Sequence, residues 1–514
     1  MTIVADQSEA IEFLRAALTD AIGPPRVVTT HASIIFVGTG FAFKLKRAVK
    51  FPFLDFSTPE RRLALCRREF LLNQRTAPNL YLDARRVTRG PDGALGFEGD
   101  GALVDAIVVM RRFEDADLLE RREQAEDLPA PLMTRLAHAI ASLHDAAAPA
   151  IQHGGAAAMR RVLEINEKAM AACDAFSQDD RDALAADLRD RHAALSGLLD
   201  ARRDAGKTRR CHGDLTLRNI CVFDGAPTLF DCLEFDEDLA RIDVLYDLAF
   251  LLMDLWRRGR ADAANLVFNH YLDERDETDG LPLMPFFMAV RACVRAHVVA
   301  AQAREAEAAS AERAAALRED ARAYFAFAQD CLGAKPAALV AIGGLSGSGK
   351  STAAAAIAPM LGPLPGARVL SSDRIRKALH GVAPQTRLTP QAYRPEASRA
   401  VYAEQRKRAR TTLAAGFAVV ADAVFDRPDS RAAIEDVARQ SGAPFRGFWL
   451  DAPIEALAAR VAARRGDVSD ATVAVLRAQA EIDPGEMTWT RLDASGEAEA
   501  VARALDREMA SRLS

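Results

Sequence analysis

Residues Gly344, Leu345, Ser346, Gly347, Ser348, Gly349, Lys350 and Ser351 follow the order G-x-x-x-x-G-K-[ST], with Thr352 directly behind. That spacing suits one kind of chemistry. Glycines let a loop turn its backbone N–H groups inward on phosphate oxygens, Lys350 neutralises β- and γ-phosphate charge, and the Ser351 hydroxyl can ligate Mg²⁺. The flanks agree with the loop. Residues 337–342 are apolar and read as a buried strand, and residues 351–360 read as an alanine-rich helix. The N-terminus of that helix adds its dipole to an anion site. These residues imply a bound nucleoside triphosphate.

A second set lies earlier. His212, Asp214 and Asn219 form H-x-D-x-x-x-x-N, and Asp231 ends the short apolar run that follows. Phosphoryl transfer to a hydroxyl needs a base beside the nucleophile and oxygen ligands for Mg²⁺. Asp214 with Asn219 and Asp231 supplies both; an acidic loop packed by a satisfied histidine is the plainer reading. Of nine lysines in the chain, three fall between positions 44 and 50. Lys44 is either part of a solvated strand end or a strand lysine reaching a nucleotide phosphate. Glu69, on a charged helix spanning 60–75, is either a surface residue or the partner of Lys44.

Acidic residues also close strands in the last third of the chain. Asp373 follows a strand at 368–371, Asp422 ends one at 417–422, and a third spans 444–450 before a helix opens at Pro453. Strand–helix alternation with acids at strand C-termini predicts a parallel doubly wound sheet, its site along that edge. Arg460, Arg464 and Arg465 gather at the end of the 453–465 helix. They either complement the helix dipole or form an arginine lid over transferring phosphate.

The elements that must position these residues follow from periodicity. A helix is expected over 5–22, a hairpin over 33–46 around Gly38, Thr39 and Gly40, and the last strand of a small sheet over 102–112. Helices should fill 132–145 and much of 156–204, and 285–332 should be one long helical region, polar almost all round at 301–322. Gly333 to Pro336 breaks it. The expected domains are 1–332, with a small lobe at about 25–112 and a helical lobe at 113–332, and then 336–514.

Composition bounds the rest. A length of 514 residues is too great for one core, and mean hydropathy is −0.06. A net charge of −5 gives no reason to invoke nucleic acid or an anionic membrane. Seven scattered cysteines without a CxxC pair suit reduced thiols in a cytoplasm. No signal peptide and no uninterrupted apolar run of membrane-spanning length is apparent.

Residues ~25–330 resemble the aminoglycoside phosphotransferase, or choline-kinase-like, family, which is related to protein kinases. The residues carrying the likeness are Lys44, Glu69, the loop 211–220, Phe230, Asp231 and the run 246–249. The resemblance implies a bilobal protein-kinase-like fold in which Lys44 contacts ATP phosphates and Glu69 holds Lys44. Asp214 would be the base, Asn219 and Asp231 would hold Mg²⁺, and the segment at Met110 would be the adenine hinge. Thr216 departs from the pattern, since the family often has histidine two residues after the base; beyond Gly38, Thr39 and Gly40 there is no glycine-rich flap. Residues ~336–514 resemble small P-loop kinases of metabolites, similar to gluconate kinase and zeta-toxin-like domains. That implies Asp373 facing the acceptor hydroxyl, Asp422 in the Walker B role, and Arg460 and Arg464 in a lid. The fusion resembles bacterial proteins that join an aminoglycoside phosphotransferase-like domain to an AAA-type ATP-binding domain.

The expectation is an α/β and α+β chain of two domains, each using MgATP to phosphorylate a small hydroxyl-bearing acceptor. The alternative is an ATP-responsive regulator whose N-terminal half binds ligand without chemistry, favoured by Thr216 and the thin flap. A pure ATPase motor is opposed by the small size of the P-loop half.

Overall fold

The computed structural model describes residues 2–30, 32–51, 54–463 and 469–510. It divides into two compact units, Met1–Val162 with Ser196–Asp254, and Leu163–Leu195 with Leu255–Ser514. Residues 255–332, assigned from sequence to the first domain, thus cluster with the P-loop sheet.

The first unit is built on a six-stranded antiparallel sheet. Its spatial order is Arg26–Thr29, Ser33–Val37, Phe41–Lys46, Ala102–Arg111, Tyr81–Arg89 and Leu95–Phe97. The hairpin at 33–46 is present, with Ile35 opposite Lys44. Ala102–Arg111 is the last strand of this sheet in chain order, as expected, and lies inside it in space, because Tyr81–Arg89 and Leu95–Phe97 continue the sheet beyond it. The mainly polar sequence of Tyr81–Arg89, with two register shifts against its neighbour, hides its alternation. In Ala102–Arg111 the alternation decides which core each residue joins. Ala106, Val108 and Met110 pack with Cys66 of the Pro59–Asn73 helix. Ile107 and Val109 face the other way, against Leu14 and Leu18 of the Ser8–Ile22 helix. Pro59–Asn73 starts where Thr58 caps Arg61 N, with Pro59 at the first helical position.

The second unit holds five parallel strands in the order Arg368–Ser371, Val419–Asp422, Leu339–Gly344, Phe445–Asp451 and Thr490–Asp493. Alternate residues of Leu339–Gly344 again divide the core. Val340 and Ile342 pack with Ile357 and Leu505 on one face, and Leu339 and Ala341 with Leu413 and Ile434 on the other. The doubly wound sheet is as expected, with Thr490–Asp493 as an additional edge. The 285–332 region is two helices, Met284–Ala306 and Ala311–Leu332, the second capped by Ser310 accepting from Arg313 N at 3.2 Å. Thr278–Ala306 is long and apolar enough to cross a membrane, yet 72% of its most apolar window is buried within the protein. It reads as a core helix.

The opposite edge strand, Arg368–Ser371, is finished by side chains. The Ala261–Glu274 helix presents Asn265, Asn269 and Asp273 at four-residue spacing, hence on one face. Asn269 Oδ1 accepts from Val369 N at 2.7 Å, and its Nδ2 donates to Ala367 O at 3.1 Å. Asn265 Nδ2 donates to Pro365 O at 2.9 Å, and Asp273 pairs with Arg368 at 2.5 Å. Replacing Asn269 with leucine strands the buried Val369 N–H, worth about 1–3 kcal/mol, while Ala367 O keeps its bond from Asn265 Nδ2. N269L should therefore lower the chemical-denaturation midpoint of the second unit without changing the transition reported from the first. An unchanged midpoint would show that water replaces the amide.

Candidate active sites

In the first unit the expected residues converge. Lys44 Nζ lies 2.8 Å from Glu69 Oε1 and 2.6 Å from Asp231 Oδ1. Strand alternation puts Lys46 on the same face, where it bonds Glu69 Oε2 at 2.6 Å and also Glu234. Glu69 is wholly buried. Burial favours its neutral form, but Lys44 and Lys46 more than offset that and hold the carboxyl well below its usual range. For Glu234 burial wins, and its carboxyl is pushed up despite Lys46. The Lys44 side chain retains 12% exposure against 1% for Lys46, so Lys44 is the one able to meet a phosphate.

The loop carrying Asp214 is held by buried carboxylates. Asp247 accepts from His212 N at 3.1 Å and Gly213 N at 2.8 Å, and lies 3.1 Å from His144 Nε2. Asp254 accepts from Leu217 N at 3.0 Å. Asn219 Nδ2 donates to Asp214 O at 2.8 Å and to Asp214 Oδ2 at 2.9 Å, while Arg218 pairs with the same carboxylate at 2.8 Å. Phe230 N donates to Asn219 O at 3.0 Å, which brings the strand-end acid beside the loop. Asp231 adopts φ +63°, in the left-handed region, and its N–H donates to the Tyr81 hydroxyl at 3.2 Å. Asn219 keeps its amide oxygen for a ligand, and Asp231 offers a carboxylate. Such hard oxygens fit Mg²⁺. Thr216 has a buried hydroxyl with no hydrogen-bond partner. Met110 is buried in the sheet core beside Tyr81 and Ala106.

In the second unit the phosphate loop joins strand Leu339–Gly344 to helix Lys350–Ile357. Gly344 has φ +142° and a Cβ there would lie 2.6 Å from Leu450 O; Gly347 has φ +89° and would meet Leu457 O at 2.8 Å. Only glycine fits this cradle. Lys350 Nζ donates to Leu345 O at 3.0 Å, and Ser351 Oγ to Asp422 Oδ2 at 2.7 Å. The buried Ser348 hydroxyl has no hydrogen-bond partner. The two proposed Mg²⁺ ligands are therefore neighbours, and the loop keeps polar capacity for an anion. A cavity of about 400 Å³ is lined by Ser346, Gly347, Gly349, Lys350, Ser351, Thr352, Asp373 and Asp422. Burial pushes the Asp373 carboxyl above its ordinary value, and Asp422 nearby adds to this while Ser469 and Lys350 oppose it.

Arg460 is not brought to this cavity. Its guanidinium donates to Ala494 O at 2.7 Å, Ser495 O at 2.8 Å and Gly496 O at 2.9 Å, so it fastens a loop instead of covering phosphate. Arg464 lies outside the described residues. The sequence reading also missed several supports. Gln405 Nε2 ties Leu370 O at 2.7 Å to Asp422 O at 3.2 Å, and Gln479 Oε1 accepts from Ser346 N at 3.0 Å. Lys46, Glu234, His144 and Asp254 escaped notice as well. The Lys44/Lys46 alternation was the one available signal for a second buried pair.

The phosphotransferase enzyme family profile matches residues 56–281, and an AAA domain profile matches residues 339–482. Fold and sites together define a kinase-type phosphotransferase with a C-terminal P-loop ATP-binding domain. An uncharacterized protein of Mycobacterium tuberculosis (strain H37Rv) is 30% identical over 476 residues, covering 91% of this chain and 92% of the relative. The chain belongs to the family of that protein. Among solved structures, a gluconokinase from Sinorhizobium meliloti is 23% identical, covering 35% of this chain and 97% of its own, with a TM-score of 0.25. A choline/ethanolamine kinase family protein from Mesorhizobium loti is 14% identical, covering 63% and 98%, with a TM-score of 0.31.

The two lysines of the first site make separable predictions. Lys44→Met should abolish nucleotide use there while the protein stays folded. Lys46→Met should destabilise the first unit by about 3–5 kcal/mol, because it removes the ion-pair partner of buried Glu234 and leaves Glu69 with Lys44 alone. Denaturation and nucleotide-binding measurements on both variants distinguish these roles; equal effects would contradict the assignment.

Proposed function

We propose that the chain is a kinase with two ATP sites, one per compact unit, each transferring the γ-phosphoryl group to a hydroxyl of a small acceptor. The observation that carries this is that each unit gathers a lysine, an aspartate and a pair of oxygen-bearing side chains of the kinds that phosphoryl transfer uses. At the first site Lys44 meets the phosphates, Asp214 takes the acceptor's proton as its oxygen attacks phosphorus, and Asn219 and Asp231 hold Mg²⁺. At the second, Lys350 and the loop amides hold the β- and γ-phosphates, Asp373 orients and deprotonates the acceptor, and Ser351 and Asp422 hold Mg²⁺. The bond to the β–γ bridging oxygen breaks and ADP leaves. Bound Mg²⁺ would offset charge on the transferring group. Seven free, buried cysteines fit a cytoplasmic setting, and neither membrane nor nucleic acid enters the reading.

The regulatory alternative rests on Thr216, whose side-chain hydroxyl makes no hydrogen bond, so that residue 216 supports the loop only through its carbonyl, which accepts from Asn219 N at 3.0 Å. Asp247 and Asp254 hold that loop from elsewhere, which supports an active first site.

In the full chain, Lys350→Ala should remove acceptor-dependent ADP release from the second site by at least ~100-fold. Asp214→Ala should do so only for the first. Loss of both activities in either variant would contradict independent chemistry. A base must be ionised, so activity at the second site should fall as pH drops through the Asp373 pKa. Because that pKa is raised, the acid limb should lie above the ~3.9 of a free aspartate. Asp373→Asn should abolish the limb along with most turnover; a retained limb would assign it to another group.

A further inference from the structure

The cavity of the second site is not walled by the P-loop domain alone. Asp262, Leu266 and His270 also line it, spaced four apart along the Ala261–Glu274 helix. This helix lies within the stretch matched by the phosphotransferase family profile, ahead of the P-loop segment. Its neighbouring face is fixed to the edge strand through Asn265 and Asn269, so the wall is rigid. Asp273 on the same helix pairs with Arg368 at 2.5 Å and with Arg374, next in sequence to Asp373, at 3.0 Å.

We infer that this helix forms the acceptor side of the P-loop site, with His270 and Asp262 as specificity-determining residues. Resting on the kinase reading of that site, the inference places a second anchoring point opposite Asp373. The preferred acceptor therefore carries a second hydroxyl besides the one phosphorylated: Asp373 engages the reacting hydroxyl and the His270 imidazole the other, while the Asp262 carboxylate, about 12 Å along the helix, meets polar groups farther along a longer acceptor. Burial and then the charge of Arg374, with Arg368 adding and Asp273 opposing, lower the His270 pKa to about 4. The ring is neutral at working pH and able both to donate and to accept. Leu266 between the two polar residues gives the wall an apolar stripe against the acceptor's carbon chain.

The test uses the full chain with ATP and a probe set of ethanol, ethylene glycol, glycerol, D-ribose and D-gluconate. Wild type should phosphorylate compounds with two or more hydroxyls in preference to ethanol. His270→Ala should raise the acceptor KM about tenfold, the loss expected for one hydrogen bond, with the KM for ATP within about twofold. His270→Gln should recover part of it. Asp262→Asn, at an exposed position that tolerates change, provides a second variant and should shift the preference among the probes. All measurements are made with Asp214→Ala in the background, so that only the second site reports. Unchanged acceptor KM and preference in both variants, or equal rises in the KM for acceptor and ATP, would overturn the inference while leaving the kinase reading intact. No phosphorylated product from any probe, with no acceptor-dependent ADP, would overturn the kinase reading and the inference with it.

Discussion

A protein that handles triphosphates must hold like charges close together before its ligand arrives, and burial makes any uncompensated charge costly. Much of this chain's architecture answers that constraint. Glu69, without exposed surface, holds both Lys44 and Lys46, and Asp231 and Glu234 complete the array. In the second unit Asp273 does the same for Arg368 and Arg374, and Asp470 for Lys377 at 2.6 Å. Each carboxylate lies far in sequence from the cations it holds. The charge arrays therefore fix tertiary structure as well as preparing the sites.

The division of labour differs between units. In the first, an antiparallel sheet carries the cations and a loop pinned by Asp247 and Asp254 carries the acids. In the second, a parallel sheet delivers all of its functional groups to one edge, and the phosphate loop depends on backbone conformations that Gly344 and Gly347 alone permit. One fold sets geometry with charge pairs, the other mainly with backbone. The helix bearing Asn265 and Asn269 shows that the second also recruits structure from outside its own motif.

Contiguous motifs made the sites legible. The run 344–352 and the pattern His212, Asp214, Asn219 each state spacing and residue type within a few positions; the first lies between the strand and helix expected for it, and the second lies on a loop closed by the short turn Leu217–Asn219. Long-range partners were not legible in this way. Asn265 and Asn269 resemble an exposed polar helix face until a strand about 100 residues later is placed against them. Arg460 failed for the same reason: a basic helix end suggests a lid, but the carbonyls it binds are more than 30 residues away. Tyr81–Arg89 stayed hidden because its polar side chains obscure the alternation of a strand.

Each compact unit holds its own candidate triphosphate pocket. Equilibrium titration of the intact protein with a non-hydrolysable ATP analogue and Mg²⁺ tests it most directly. Two analogue molecules should bind per chain. Binding of one or none would contradict it.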